Sequence, residues 1–158
     1  MAVLINPKID ALLKATSRSF YPTLKYLPKK IRGQIGLLYL LARVADTIAD
    51  SKQGETEFLL ELLQNYNDVV QGRSSSLPDF SELAEIQTNE NEAELLRNVQ
   101  DVVEGLEVYE KGDQELMLEC LEVIVSGQIL DLERFGIARE GGEISALNSE
   151  EELDDYAY

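Results

Sequence analysis

The chain is 158 residues long, 44% hydrophobic and 28% charged, with no His, no Trp and a single cysteine, Cys120. This is the composition of one globular domain, spanning residues 1–158; it excludes imidazole as a base or metal ligand, a cysteine-rich zinc site and an intrachain disulfide. A net charge of −16 argues against nucleic acid as a partner.

Residues 1–7 show neither the basic flank nor the apolar run of a signal peptide. The most apolar stretch, residues 35–45, is interrupted by Arg43 and is too short to span a membrane. The expectation is a cytoplasmic protein, with a peripheral membrane contact left open. Period-two alternation is absent and apolar residues recur three and four apart, so the fold class is all-α. A first helix is expected over residues 6–19, ending before Pro22. Pro28 stands at the mouth of a second helix that runs to about Ser51. Charge is uneven along the chain. Residues 1–50 hold eight basic residues against three acids, a net +5, whereas the remainder holds six against 27, a net −21. The basic end reads either as a solvated surface or as the place to which an anionic ligand is drawn.

A third helix follows over residues 55–70, with Leu59, Leu62, Leu63, Tyr66 and Val70 on one face, and stops at a loop containing Gly72, three serines and Pro78. A fourth, with room for breaks, occupies residues 80–109 and presents Leu95, Val99, Val102, Leu106 and Tyr109. The fifth, residues 113–135, carries Glu115, Glu119, Glu122 and Ser126 on a polar stripe. It is otherwise so apolar that it is expected to be the most buried element, with Cys120 as a buried filler. Gly141-Gly142 closes this region. Ser149-Glu150-Glu151-Glu152 then has the form of a capping box opening a further helix, and the sequence stops about two turns in, at Tyr158. A helix begun with a cap and ended so soon suggests a longer protein.

The second helix carries the chemistry. In Tyr39-Leu40-Leu41-Ala42-Arg43-Val44-Ala45-Asp46-Thr47-Ile48-Ala49-Asp50 the two aspartates lie four apart and stack on one face. Arg43 precedes Asp46 by three residues and Tyr39 precedes Arg43 by four, so all four share a stripe. Like charges at this spacing repel, and burying them without a partner is costly. One reading is a solvent-facing ion pair of Arg43 with Asp46 or Asp50. The other is a Mg²⁺ held by the carboxylates and completed by substrate phosphate, which Arg43 grips from the other side. The apolar flanks weigh against a solvated face. A second cluster, Thr16-Ser17-Arg18-Ser19-Phe20-Tyr21, reads as a helix end with capping polar residues, or as hydroxyl donors and a charge offered to phosphate.

Ser17-Arg18-Ser19-Phe20, then Leu27-Pro28, then Tyr39 to Asp50, resemble the squalene/phytoene synthase family of head-to-head prenyl synthases in order and spacing. Ser126-Gly127-Gln128-Ile129-Leu130-Asp131-Leu132 and Leu153-Asp154-Asp155-Tyr156-Ala157-Tyr158 look like its next landmarks, with Ala157 a mild departure. The resemblance covers the whole chain and about the first half of a family member. It implies an isoprenoid-synthase-type helical bundle with a central cavity, where two aspartate-rich motifs share a Mg²⁺ cluster. Asp46 and Asp50 match the first motif, and the second lies beyond Tyr158.

By the same resemblance Ser17, Arg18, Ser19, Phe20, Tyr39 and Arg43 bind substrate; Arg43, Asp46, Asp50 and Tyr156 take part in catalysis; and Asp46 and Asp50 bind metal. The implied reaction joins two prenyl diphosphates, farnesyl diphosphate in the squalene-type form, through a cyclopropyl intermediate. A longer substrate, as in phytoene-type enzymes, is the alternative, although the Asp46-Thr47 pairing resembles the squalene-type motif. A non-catalytic helical partner that keeps only the first motif is a further reading. NADPH reduction belongs to a region not in this sequence. Residues 1–158 alone are expected to need a C-terminal half or a partner subunit for turnover.

Overall fold

In the computed structural model, residues 3–4, 6–51 and 56–141 are described, with side chains through Arg134. Helix α1 covers Pro7–Thr16, α2 Tyr21–Leu24, α3 Lys29–Ala49, α4 Thr56–Val70, α5 Ser81–Glu85, α6 Glu90–Arg97 and α7 Val99–Glu104. A 3₁₀ turn over Gly105–Val108 leads into the long α8, Lys111–Gly141. No strand occurs among the described residues, so the all-α expectation holds.

Local chemistry sets the helix ends. Asn6 caps α1, its side-chain oxygen accepting from the Lys8 amide at 2.9 Å, with Pro7 in the first turn where no amide is needed. The helix ends earlier than residue 19 because the last hydroxyls turn back on it. Thr16 donates to the Leu12 carbonyl at 2.8 Å and Ser17 donates to that of Leu13, while the Ser17 backbone leaves helical geometry. Pro22 then falls in the first turn of the short α2 rather than behind a helix. Pro28 stands immediately before α3, as expected, and Asp50 is the C-cap of α3. The stretch at 80–109 is broken by its asparagines. The Asn89 side chain caps α6, and Asn98 donates to the Glu94 carbonyl at 2.8 Å, which ends α6 one residue before α7 begins.

Helix α3 is the axis of the core. Leu37, Leu40, Leu41, Val44, Ala45 and Ile48 are buried where it packs against α1, α4, α6, α7 and α8. The α4 face predicted from periodicity, Leu59, Leu62, Leu63, Tyr66 and Val70, is buried throughout, and the Tyr66 hydroxyl donates to the Leu41 carbonyl of α3 at 2.8 Å. Gly33 keeps α3 close to the end of the 3₁₀ turn, since a Cβ there would stand 2.5 Å from the Tyr109 hydroxyl oxygen.

Helix α8 departs from expectation. Only Met117, Leu121, Val125 and Leu132 are buried on it, on the side toward α3 and α4, whereas Leu116 and Val123 are 63% and 73% exposed. Cys120, expected inside, is also exposed. The polar stripe does lie outward, with Glu115, Glu119 and Ser126 exposed, but apolar residues flank it on both sides, and among the described residues only the side toward α3 and α4 is covered. No helix among these residues is long and apolar enough to cross a membrane. The Ser149 capping box and Tyr156 lie outside the described residues.

The inner and outer faces of α8 are separable by truncation. Leu121→Ala opens a cavity and is expected to destabilise by about 2–5 kcal/mol, whereas Val123→Ala stays within about 0.5 kcal/mol. Chemical denaturation of both variants checks this, and equal losses would mean that the outer face is packed as well.

Candidate functional site

Tyr39, Arg43 and Asp46 follow one another at spacings of four and three along α3, with Asp50 one turn further on at its C-cap. Three other elements bring side chains to this stripe. Gln128 of α8 donates from its amide nitrogen to Oδ1 of Asp46. Glu92, in the first turn of α6, forms an ion pair with the guanidinium of Arg43. The turn after α1 supplies Phe20, whose ring stacks on Tyr39 with centroids 4.9 Å apart and planes at 27°. Asn91 ties the start of α6 to the end of α1, donating to the Ala15 carbonyl at 3.2 Å.

Burial and charge act together on Asp46. Its carboxyl is held above the ordinary aspartate value, first by burial and then by the neighbouring Asp50 carboxylate, with Glu92 adding in the same sense. Arg43 and the Gln128 hydrogen bond pull the other way and do not cancel it. An anionic Asp46 is therefore short of positive charge, a deficit that a cation beside it removes. Two further atoms point to an absent partner. Nε of Arg43 and Oε1 of Gln128 are buried without a hydrogen bond. The guanidinium of Arg43 and the carboxylate oxygens of Asp46 and Asp50 are a donor set whose chemistry suits a hard cation together with a diphosphate. No group of three or more Cys, Asp or Glu side chains that could hold a metal ion occurs among the described residues.

The other sequence candidates are placed as follows. Arg18 and Ser19 are exposed in the turn after α1, and Phe20 is half-buried. Ser17 is buried, and its hydroxyl is engaged by the Leu13 carbonyl. The Tyr39 hydroxyl reaches the Thr16 carbonyl only at 3.5 Å. Tyr156 lies outside the described residues. The ion pair of Arg43 with Asp46 or Asp50 does not form; Arg43 pairs with Glu92 instead. Glu92 escapes the sequence reading because an acid in the first turn of a helix needs no explanation beyond the helix dipole. Gln128 is visible in the sequence as part of a motif, but its bond to Asp46 joins residues 82 apart and no local pattern announces it.

The family model described as squalene/phytoene synthase matches residues 13–158. No curated protein and no solved structure matches the chain.

The raised Asp46 pKa has a consequence for stability. A carboxyl raised by folding stabilises the fold below its unfolded value, and that contribution is lost as pH rises through its folded value. Asp46→Asn is therefore expected to melt a few degrees above the unsubstituted protein at neutral pH without ligand, and at the same temperature once the pH falls below the ordinary aspartate value of 3.8. Thermal melts across pH test it; an Asn variant that melts lower at neutral pH would show that Asp46 is already compensated.

Proposed function

Because the chain belongs to the squalene/phytoene synthase family, we propose that Arg43, Asp46 and Asp50 activate a prenyl diphosphate for head-to-head condensation. The family acts on prenyl diphosphates and joins two of them. The observation that carries the reading for this chain is the pairing of an under-compensated Asp46 with the unbonded Nε of Arg43 on one face of α3.

In this reading Asp46 and Asp50 hold Mg²⁺, which when bound neutralises charge on the diphosphate. Arg43 binds diphosphate oxygens through its planar fork and stabilises the negative charge that grows as the C1–O bond breaks and its electron pair leaves with the diphosphate. Glu92 keeps the guanidinium in position from behind. The stacked Phe20 and Tyr39 lie one to two turns along the same face. Their π-faces suit the allylic cation left behind, and the apolar surroundings keep water from quenching it. The double bond of the second substrate attacks that cation, and loss of a proton closes a cyclopropane ring. The second ionisation breaks the remaining C–O bond, its electron pair leaving with the diphosphate, and the rearranged cation is discharged by loss of a proton or, in the squalene-type form, by hydride from NADPH. Farnesyl diphosphate is the substrate we favour, on the squalene-like form of the Asp46-Thr47-Ile48-Ala49-Asp50 segment. Thr47 is fully packed in the core, so the second acid typical of the longer-substrate motif has no room to be solvated there.

Calorimetry tests the site directly. Mg²⁺ alone is expected to bind weakly and to bind much more tightly with a non-hydrolysable prenyl diphosphate analogue, because substrate oxygens complete its octahedron. Arg43→Lys keeps the charge but loses the fork, and is expected to weaken analogue binding on the order of tenfold. Equal Mg²⁺ affinity with and without the analogue, or unchanged binding by the Lys variant, would remove these residues from the site.

A further inference from the structure

The opposite end of α3 differs from the other long helix starts among the described residues. Helices α1, α4, α6 and α8 carry an acid in the first turn, which complements the positive end of the helix dipole. Helix α3 has none; its first turn carries Lys29, Lys30 and Arg32. These cations oppose the dipole, and no ion pair among the described residues relieves Lys29 or Lys30. Local stability does not account for them.

They belong to a wider surface. Lys25, Tyr26, Lys29, Lys30 and Ile31 are all exposed at the corner between α2 and α3, with Tyr26 81% and Ile31 43% accessible. Lys25 sits over the Tyr26 ring, 5.6 Å from its centroid. The corner is held in shape from beneath. The Arg32 guanidinium donates to the Lys25 carbonyl at 2.7 Å and the Leu27 carbonyl at 2.8 Å, and Leu24 is fully buried. No acid lies between Asp10 and Asp46 in the sequence, and across the fold the segment carrying the exposed Glu107 and Glu110 meets α3 at Gly33 through Tyr109. Asp10 is engaged by the Val3 and Leu4 amides and the Tyr21 hydroxyl. Asp46 lies roughly 25 Å further along the helix at 1.5 Å per residue. Asp113 of α8, bonded to Gln34, stands one turn further in.

From this arrangement we propose that the α2–α3 corner docks on an anionic lipid bilayer. Three unpaired lysines supply attraction to acidic headgroups, and Tyr26 and Ile31 supply the apolar and amphipathic area that enters the headgroup layer. Residues 21–32 carry no acid whereas residues 51–158 carry a net −21, so this corner suits such a contact, and Asp46 lies roughly 25 Å along α3 from it. Nucleic acid offers similar charge but gives Ile31 nothing to bury against, and the net charge of −16 repels a polyanion that wraps the surface.

Sedimentation with vesicles tests the proposal, using phosphatidylcholine alone and phosphatidylcholine mixed with phosphatidylglycerol. The protein is expected to bind the mixed vesicles at low salt, to leave them as salt rises, and to ignore the neutral ones. Lys29→Glu/Lys30→Glu is expected to weaken binding on the order of tenfold or more, and Tyr26→Ala several-fold. The acidic replacements suit a helix start, so the double variant should melt no lower than the parent, which separates lost docking from lost folding. Binding to neither vesicle, equal binding to both, or binding to mixed vesicles that survives the charge reversal overturns the proposal; the last result would move the contact to the exposed apolar side of α8.

Discussion

Asp46 and Asp50 stand one turn apart on a helix packed on its other sides, and their mutual repulsion falls on Asp46, the more buried of the two. Much of the surrounding structure answers that repulsion. Gln128 reaches over from α8 to donate to Asp46, and Arg43 offers positive charge from one turn back, itself steadied by Glu92 of α6. The compensation is incomplete, and Nε of Arg43 and Oε1 of Gln128 stay buried without a hydrogen bond. The proposed metal–diphosphate pair would bring opposite charge to both Asp46 and Arg43.

The packing explains why the stripe stays in register. Helix α3 is gripped by α4 through the Tyr66 hydroxyl and by the 3₁₀ turn across Gly33, so Tyr39, Arg43 and Asp46 keep a fixed rotation about its axis. The far end of the same helix carries Lys29, Lys30 and Arg32. One rigid element thus carries a cationic end and a carboxylate end.

Much of this was legible in the sequence. The spacing of Leu59, Leu62, Leu63, Tyr66 and Val70 gave α4 and its buried face because that helix is apolar on one side only. Pro28 marked the start of α3 because proline acts locally, and the expected end near Ser51 falls just past the Asp50 C-cap. The early end of α1 was missed because the backward hydrogen bonds of Thr16 and Ser17 compete with continuation of the helix at a position where composition alone permits it. The extent of burial of α8 was missed for a different reason: its apolar residues spread well beyond the face that α3 and α4 cover, and apolar content alone does not tell how many neighbours a helix has. Glu92 was missed because its partner is 49 residues away and its local role at a helix start is sufficient by itself. The shared stripe of Asp46, Asp50 and Arg43 was legible because their spacing is short and helical; Glu92 and Gln128, which contact Arg43 and Asp46, come from other elements.

The most direct test of the central claim is a crystal structure of the protein soaked with Mn²⁺ and inorganic pyrophosphate, read by anomalous scattering at the manganese edge. The account predicts a manganese peak bridging Asp46 or Asp50 and a pyrophosphate oxygen, with Arg43 turned onto the same pyrophosphate. A manganese ion bound elsewhere, or a pyrophosphate that leaves Arg43 untouched, would contradict it.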